Sequence, residues 1–266
     1  MTEPEVAELA RALMAAAAIE DFGSVARVGH GESGDVVVRI DGAPVMFAKF
    51  ADASKRVNVV EIAAETAALR WLQGRAPVPR LMWAGEVEGR SAILTEAVMG
   101  TPLHELLADQ AEAGAVAALH ALAQLHALPV ADCPLDQRLD VKLAEARRRV
   151  EAGEIDVSRL DPDHAGKAPL AIFEALIAER PTAEDLVVTH GDASWPNFIL
   201  RPDGAVVLID VGRAGVADRS QDLALFRRSA IRNFPDLPID EVMAQAYPVP
   251  TGRKTLEFYR LLDELF

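Results

Sequence analysis

The chain has 266 residues, half of them apolar, and a net charge of −14 at pH 7. The length suits one large or two small domains, and the apolar content excludes a disordered chain. The one short basic run, Arg147-Arg148-Arg149, is typical of a solvated helix face, so the acidity disfavours a nucleic-acid partner. Negative charge instead suits a cationic ligand through electrostatic steering, although acidic enzymes are common.

The N-terminal region and the cysteine content indicate the cellular compartment in which the protein is expected. The apolar run at residues 13–19 is too short to span a membrane, and acids at Glu3, Glu5 and Glu8 occupy the place where a signal peptide carries positive charge. We interpret the first twenty residues as an amphipathic helix. The single cysteine, Cys133, cannot form an internal disulfide, so we expect a cytoplasmic protein without membrane association.

The first part of the chain reads as a sheet with one helix. Short apolar runs at residues 24–28, 36–40 and 45–50 predict three strands, and Asp41-Gly42 predicts the hairpin turn between the last two. A helix is expected over residues 57–73, where Ile62, Leu69 and Leu72 share one face. Two more strands, at residues 81–86 and 91–96, complete a predicted five-stranded antiparallel sheet.

The pattern changes after residue 96. Gly100 and Pro102 mark residues 97–102 as a linker. Helices are then predicted at residues 111–128, 139–152, 169–178, 221–233 and 254–265, with short strands at 186–189, 198–200 and 205–209. The sequence therefore predicts an α+β chain with an N-terminal nucleotide-binding lobe over residues 1–96, a linker over 97–102, and a larger, mainly helical, catalytic and substrate-binding lobe over 103–266.

A glycine-rich motif lies between the first two predicted strands. Gly29-His30-Gly31-Glu32-Ser33-Gly34-Asp35-Val36 fits G-x-G-x-x-G-x-V. Glycines let backbone N–H groups approach phosphates closely, which makes Gly31, Ser33 and Gly34 candidate nucleotide contacts. A dinucleotide-binding fingerprint is followed by a helix, whereas a strand follows here, so a kinase-type flap is favoured. An ordinary glycine-rich hairpin explains the same pattern about as well.

Lys49 stands at the end of an apolar strand, fifteen residues after Gly34. A charge directed at a core face needs an anion, which nucleotide phosphates or a carboxylate of the next helix would supply. Glu61 and Glu65 lie four residues apart on one face of that helix, and we favour Glu65 as the partner. The alternative is a solvent-exposed lysine on an edge strand.

The strongest motif is His190-Gly191-Asp192-Ala193-Ser194-Trp195-Pro196-Asn197, followed by Leu208-Ile209-Asp210. Phosphoryl transfer needs a carboxylate that accepts or orients the proton of the acceptor hydroxyl, and oxygen ligands that hold Mg²⁺ on the phosphates. Asp192 fits the catalytic base, and Asn197 and Asp210 fit the metal ligands. The three motifs in this order indicate a Mg²⁺- and nucleotide-dependent kinase.

Other polar residues receive structural interpretations. The six histidines lack metal-ligand spacing and there is no cysteine cluster, which disfavours a zinc site. His190 is interpreted as a buried, hydrogen-bonded scaffold of its loop. Asp218, Arg219 and Asp222 are interpreted as a helix N-terminal cap and ion-pair network.

Three stretches carry a resemblance to a known family. They are the loop at residues 190–197, the run Gly212-Arg213-Ala214-Gly215-Val216-Ala217-Asp218-Arg219-Ser220-Gln221-Asp222, and the ending Phe258-Tyr259-Arg260-Leu261-Leu262-Asp263-Glu264-Leu265-Phe266. All three resemble those of the aminoglycoside 3′-phosphotransferases, the kanamycin and neomycin kinases. The H-G-D-x-x-x-x-N core is shared by many small-molecule kinases, whereas the other two stretches are narrower signals.

The resemblance implies a protein-kinase-like bilobal fold and transfer of the γ-phosphate of ATP, or GTP, to the 3′-hydroxyl of an aminoglycoside, which gives antibiotic resistance. Asp192 is then the base, and Asn197 and Asp210 hold Mg²⁺. The implied nucleotide-binding residues are Gly31, Ser33, Gly34, Lys49, Glu65, Glu96 and Val98. The implied substrate-binding residues are Asp161, Arg228, Asp263, Glu264 and Phe266, the last through its terminal carboxylate. We expect a monomer or weak dimer whose partners are these small molecules, with no nucleic acid.

The chain departs from the family pattern near the implied sugar site. Some members crowd acids around the Asp161 position, where this chain has Ser158, Arg159 and Pro162, and Ser229 stands where an acid can follow the arginine. Fewer acids should weaken the attraction for a polyamine. Two alternatives therefore stay open: a kinase for another small hydroxyl compound, such as a macrolide, amino alcohol or sugar amine, and a nucleotide-binding pseudokinase. The intact catalytic set disfavours the second.

Overall fold

The computed structural model describes residues 2–30, 35–51, 56–250 and 252–266. The chain forms two compact units. The N-terminal unit contains Met1–Gly100 together with Val207–Arg213, and the C-terminal unit contains Thr101–Val206 together with Ala214–Phe266. The predicted flap residues Gly31, Ser33 and Gly34 lie outside the described residues.

An antiparallel five-stranded sheet forms the frame of the N-terminal unit. Its strands are β1 (Val25–His30), β2 (Val36–Ile40), β3 (Met46–Phe50), β4 (Leu81–Val87) and β5 (Arg90–Glu96), in the order β1-β2-β3-β5-β4. Two helices accompany it, α1 (Glu3–Ala16) and α2 (Arg56–Leu72). The predicted sheet and both predicted helices are confirmed. The boundaries differ by at most two residues, except that α1 ends at Ala16 and not at residue 20.

Strand alternation explains where Lys49 points. Val38 of β2 and Ala48 and Phe50 of β3 are buried in a core cluster that also contains Leu13 of α1. Successive side chains of a strand face opposite sides of the sheet, so Lys49, between Ala48 and Phe50, faces away from this cluster. The lysine is therefore directed to the face on which its carboxylate partner on α2 lies.

The C-terminal unit is mainly helical. Its helices are α3 (Ala111–His126), α4 (Leu139–Ala152), α5 (Pro169–Ala178), α6 (Ser220–Asn233), α7 (Ile239–Ala246) and α8 (Arg253–Asp263). Its short strands are β6 (Thr101–Pro102), β7 (Leu186–Thr189), β8 (Phe198–Leu200) and β10 (Gly215–Asp218), while β9 (Val206–Leu208) leads the chain back into the N-terminal unit. β7 pairs antiparallel with β10, and β6 with β8.

Three of these elements are absent from the sequence prediction: β6, which lies in the predicted linker, α7 and β10. Helix α7 carries Ile239, Val242 and Met243 in buried positions, a helical spacing of three and four that was available as a signal. Strand β10 has only four residues, and its partner β7 lies far away in sequence. No helix in the described part of the chain is long and apolar enough to cross a membrane.

Packing of the last helix holds the chain end in place. Phe258, Tyr259, Leu262 and Leu265 are buried in one cluster with residues of α4, α5 and α6, and Phe266 packs against its edge. Burial of these side chains stabilises by about 1.5–3 kcal/mol each in transfer terms. The acids between them, Asp263 and Glu264, are therefore held on an ordered segment instead of a frayed end.

Candidate active site

The N-terminal unit assembles a lysine and two carboxylates. Lys49 Nζ lies 2.7 Å from Glu65 Oε2 and 3.0 Å from Asp210 Oδ1. Burial lowers the pKa of the Lys49 ammonium, but the two carboxylates more than reverse this and hold that pKa above its usual value. Lys49 is thus a cation, and Glu65, which the sequence favoured over Glu61, is its partner. Kinases position the nucleotide phosphates with a lysine that is paired in this way with a glutamate of a helix.

The segment Val207–Arg213 brings Asp210 to this lysine. The Leu208 N–H donates to the Pro77 carbonyl at 2.8 Å, which ties the segment to the N-terminal unit. A methyl group on Gly212 would lie 3.4 Å from Glu65 Cβ, so the segment runs close against α2. Asp210 has a φ of +56°, a left-handed conformation that non-glycine residues adopt mainly at special sites. Its carboxylate is 54% exposed, which suits an ion ligand.

The predicted nucleobase contacts follow the last strand of the sheet. The Glu96 N–H donates to the Arg80 carbonyl at 2.9 Å, and its carboxylate lies 2.8 Å from Arg80 Nε. The Ala97 N–H donates to the Val45 carbonyl at 2.9 Å, so the chain stays tied to the sheet as far as residue 97. Val98 comes next and is half-buried. Contact of Glu96 and Val98 with a nucleobase stays a prediction.

The loop between β7 and β8 holds Asp192 by its side chain and its backbone. Ser194 Oγ donates a short hydrogen bond to Asp192 Oδ1, and Asn197 Nδ2 donates to the Asp192 carbonyl at 2.9 Å. This bond uses the donor end of the Asn197 amide, which leaves the oxygen as the end suited to a cation. Gly191 has a φ of +84°, a conformation that favours glycine. The loop thereby presents a carboxylate in a restricted orientation.

The aromatic residues of the loop anchor it in the C-terminal unit. Trp195 is fully buried, with its ring 5.6 Å from that of Phe226 and 5.2 Å from that of Phe234. His190 is also fully buried and stacks on Phe198 at 5.9 Å. The interpretation of His190 as a buried scaffold is confirmed.

A buried carboxylate on α6 fixes the start of this loop. Asp222 Oδ2 accepts the His190 N–H at 2.7 Å, and Oδ1 accepts the Gly191 N–H at 2.8 Å. Gln221 Nε2 donates to the Gly191 carbonyl at 2.7 Å. Burial alone would raise the pKa of Asp222, but the hydrogen bonds from His126 and from the His190 backbone hold that pKa below its usual value.

The interpretation of Asp222 as part of a helix cap is wrong, whereas its place in a network is confirmed by His126, whose Nε2 lies 2.9 Å from Asp222 Oδ2. Its acceptor oxygens are used by the loop and by His126, whereas Asp218 accepts the N–H of Ser220, the first residue of α6, at 2.7 Å. Arg219 forms the expected ion pair, with Asp185 at 2.5 Å. Asp218 and Arg219 therefore make the polar contacts at the start of the helix, and Asp222 anchors the loop.

The predicted substrate-binding residues of the C-terminal unit lie close together. Arg228 Nη2 lies 2.6 Å from Asp263 Oδ2, and Arg228 Nη1 lies 4.0 Å from Asp161 Oδ2. Glu264 Oε2 accepts the Asp161 N–H at 2.8 Å. The Phe266 ring, in turn, lies 4.7 Å from Lys142 Nζ. Asp161, Arg228, Asp263 and Glu264 thus form one cluster, and the contact of the Phe266 ring is with Lys142. Binding of a substrate by these residues stays a prediction.

Two arginines that the sequence interpretation did not single out change the electrostatics of this cluster. Arg260 Nη1 lies 3.1 Å from Asp161 Oδ2, and Arg232 Nη2 contacts Asp161 Oδ1. Arg228 and Arg232 are four residues apart on α6, a spacing that places them on one helix face. Asp161, only 4% exposed, is therefore largely neutralised by guanidinium groups.

His164 is a further residue of the cluster that the sequence interpretation did not identify. Its Nδ1 lies 3.4 Å from Glu264 Oε1, and burial lowers the pKa of its imidazole while burial raises the pKa of Glu264. The possible ligand atoms of Asp161, His164 and Glu264 lie within 4.8 Å of one another. The arginines paired with Asp161 disfavour a divalent cation at this point, because like charges repel strongly in a partly buried site.

Fold and site together define a phosphotransferase that uses a nucleotide co-substrate and an alcohol group as acceptor. Residues 24–259 match the model of the phosphotransferase enzyme family. An aminoglycoside 3′-phosphotransferase of Streptomyces fradiae is 37% identical over 258 residues, which cover 90% of this chain and 94% of that protein. The chain belongs to the aminoglycoside 3′-phosphotransferase family.

Solved structures agree with this assignment. An aminoglycoside 3′-phosphotransferase of type VIII is 32% identical, with a TM-score of 0.85 over 98% of this chain and 99% of that chain. The aminoglycoside phosphotransferase APH(3″)-Id of Streptomyces rimosus, in complex with ADP and streptomycin, is 26% identical, with a TM-score of 0.79 over 98% of each chain. The kinase-like fold expected from the resemblance is confirmed.

Proposed function

We propose that this protein transfers the γ-phosphate of ATP, or GTP, to the 3′-hydroxyl of an aminoglycoside in the cytoplasm and thereby inactivates the antibiotic. One observation carries the proposal: a member of this family retains the complete predicted catalytic set, Lys49, Asp192, Asn197 and Asp210. A pseudokinase would be expected to lack at least one of them.

Three side chains are suited to bind the nucleotide phosphates and the metal ion. The Lys49 ammonium, held by Glu65 at 2.7 Å, is suited to bind phosphate oxygens. Asp210 offers a half-exposed carboxylate and Asn197 an amide oxygen, and hard cations such as Mg²⁺ prefer oxygen ligands of these kinds. When bound, Mg²⁺ neutralises charge on the phosphates. The donor set therefore fits the metal.

Asp192 acts on the acceptor. Its carboxylate orients the 3′-hydroxyl and takes its proton as the hydroxyl oxygen attacks the γ-phosphorus and the bond to the β-phosphate oxygen breaks. The products are a phosphorylated aminoglycoside and a nucleoside diphosphate. The hydrogen bond from Ser194 and the backbone bond from Asn197 reduce the freedom of this carboxylate, and such restriction contributes to rate through orientation.

The C-terminal acids are suited to bind ammonium groups of the substrate. Glu264 presents a buried oxygen, Oε1, that accepts no hydrogen bond from any described residue. An ammonium donor would satisfy that oxygen, and charge-assisted hydrogen bonds are worth about 1.5–3 kcal/mol. Asp263 is paired with Arg228, and Asp161 with Arg232 and Arg260, so the charges of both acids are already partly neutralised. We therefore expect Glu264 to contribute more to substrate binding than Asp161.

The test is a turnover assay with matched acceptors. Kanamycin, its 3′-deoxy analogue and streptomycin are each offered with ATP and with GTP, Asp192→Ala serves as the inactive control, and the product is assigned by phosphorus-coupled NMR. We expect one phosphate on the 3′-oxygen of kanamycin and no reaction of the 3′-deoxy compound. Equal turnover of the 3′-deoxy analogue would refute the 3′ assignment. Nucleotide binding without turnover of any acceptor would favour the pseudokinase.

A further inference from the structure

A buried chain of polar groups leads to the anchor of the catalytic loop. Arg219 Nη1 lies 2.9 Å from the Tyr247 hydroxyl, and that hydroxyl lies 2.6 Å from His126 Nδ1. His126 Nε2 lies 2.9 Å from Asp222 Oδ2. His126, Tyr247 and Asp222 are all buried. This series of hydrogen bonds therefore joins the end of α3, the residue after α7 and the first turn of α6. Its three buried members have no solvent that could replace their hydrogen bonds.

The chemistry of the end groups fixes the direction of the two outer bonds. A guanidinium only donates, so the Tyr247 oxygen accepts from Arg219. An ionised carboxylate only accepts, so His126 carries its proton on Nε2 and donates it to Asp222. In the tautomer with its single proton on Nε2, the ring has an acceptor at Nδ1, and we assign the Tyr247 O–H as its donor. All donors point the same way, from Arg219 to Asp222, and such chains polarise each bond cooperatively.

The receiving end of the chain is the anchor of the loop. The oxygen that accepts from His126, Asp222 Oδ2, also accepts the His190 N–H at 2.7 Å. The second oxygen accepts the Gly191 N–H at 2.8 Å. Asp192 follows Gly191 in the amino-acid sequence. A rotation of the Asp222 carboxylate would therefore move the two peptide groups that lead directly to the catalytic base.

We propose that Tyr247 and His126 are positioning residues of the phosphoryl-transfer reaction, which orient Asp222 and through it the backbone that carries Asp192. The proposal rests on the proposed function only in taking Asp192 as the base. Neither residue reaches the substrate in this scheme. Their effect is confined to the rate of the chemical step, where a displacement of about 1 Å can cost a hundredfold.

Two tyrosines of the C-terminal unit provide a matched pair of variants. Tyr247→Phe removes a hydroxyl that bonds both His126 and Arg219. Tyr259→Phe removes an equally buried hydroxyl that has no hydrogen-bond partner among the described residues. We expect Tyr247→Phe to lower kcat by roughly tenfold or more while leaving both KM values within about twofold. Tyr259→Phe should leave kcat unchanged.

A second pair tests the histidine. His126→Gln keeps a side-chain N–H that can reach Asp222, whereas His126→Leu removes it. We expect kcat to fall less in the glutamine variant than in the leucine variant at matched thermal stability. Equal losses in the two variants, or losses that follow the melting temperature alone, would overturn the positioning role.

Two measurements on the protein without substrate separate this proposal from the proposed function. In ¹⁵N-histidine NMR, His126 should carry a proton on Nε2 and none on Nδ1, and a proton on Nδ1 would overturn the assigned direction. Hydrogen exchange of the His190 and Gly191 amides should be faster in Tyr247→Phe than in Tyr259→Phe. Unchanged protection of both amides in Tyr247→Phe would overturn the link to the loop. Both results stand whether or not an aminoglycoside is the acceptor.

Discussion

Removing the positive charge of Arg232 should improve the binding of a cationic substrate. Arg232 contacts Asp161, which is also 3.1 Å from Arg260. Asp161 is 4% exposed and Arg232 is 51% exposed, so the carboxylate is fixed while the guanidinium lies at the surface. Arg232→Gln removes one competitor for the carboxylate without emptying a packed core. We expect a lower KM for the aminoglycoside.

The size of the effect follows from Coulomb's law with partial screening. An ammonium at Asp161 would lie about 6 Å from the Arg232 charge, and at an effective dielectric constant of roughly 40–80 their repulsion is about 0.7–1.4 kcal/mol. That energy corresponds to a factor of roughly three to ten in KM. Salt reduces it, because the Debye length falls from about 10 Å at 0.1 M to about 3 Å at 1 M.

Steady-state kinetics with a matched control tests this reasoning. Arg227→Gln makes the same charge change on the same helix, but Arg227 pairs with Asp240 at 2.5 Å. The KM for kanamycin is measured for both variants at low and high salt, together with the KM for the nucleotide. We expect only Arg232→Gln to lower the kanamycin KM, and only at low salt, with the nucleotide KM unchanged in both.

Either of two results would refute this picture. An equal fall of KM in both variants would mean that net charge acts at long range and that the pairing with Asp161 is irrelevant. A KM in Arg232→Gln that is unchanged or higher at low salt would mean that Arg232 itself contributes to binding, or that Asp161 does not contact the substrate.

Four further outcomes follow from the structure. Asp192→Asn should lower kcat by about 10²–10⁴-fold with little change in nucleotide KM, because it removes the base but keeps the shape. Asp210→Asn should raise the Mg²⁺ concentration for half-maximal turnover in a metal titration, since hard cations prefer charged oxygen. His164 has a pKa lowered by burial, so the folded protein resists its protonation; thermal melts should show stability falling below pH 6.5 more in the wild type than in His164→Gln. Gly215→Ala should destabilise by roughly 1–3 kcal/mol in denaturant unfolding, because its Cβ would lie 2.7 Å from the Leu135 carbonyl oxygen.

A specific result would contradict each of these four predictions. Near-wild-type kcat in Asp192→Asn would remove that residue from the mechanism, and an unchanged metal requirement in Asp210→Asn would mean that the ligand is another group. Parallel pH curves for the wild type and His164→Gln would show that the imidazole does not titrate differently on folding. A fully stable Gly215→Ala would require the strand to shift away from Leu135.

The sequence by itself determined the class of enzyme and the elements that carry its motifs. Strand alternation around Lys49 and the spacing of Asp192, Asn197 and Asp210 are short-range patterns, and short-range patterns report directly on local structure. Glu65 was identifiable as the partner of Lys49 because the helix after the strand offered only two carboxylates on one face. The predicted helices of the C-terminal lobe were likewise readable from their apolar periodicity.

Only the tertiary structure decided how distant polar residues are paired. Asp222 serves as the anchor of the catalytic loop because the fold places His126, 96 positions away, against it. Arg260 lies 99 positions from Asp161, yet its guanidinium neutralises that acid. Local periodicity carries no information on such contacts. A carboxylate near the start of a helix can cap its own helix or accept hydrogen bonds from another element, and the sequence is the same in both cases. The partners are set by packing of the whole unit, and packing determines which charges remain for a substrate.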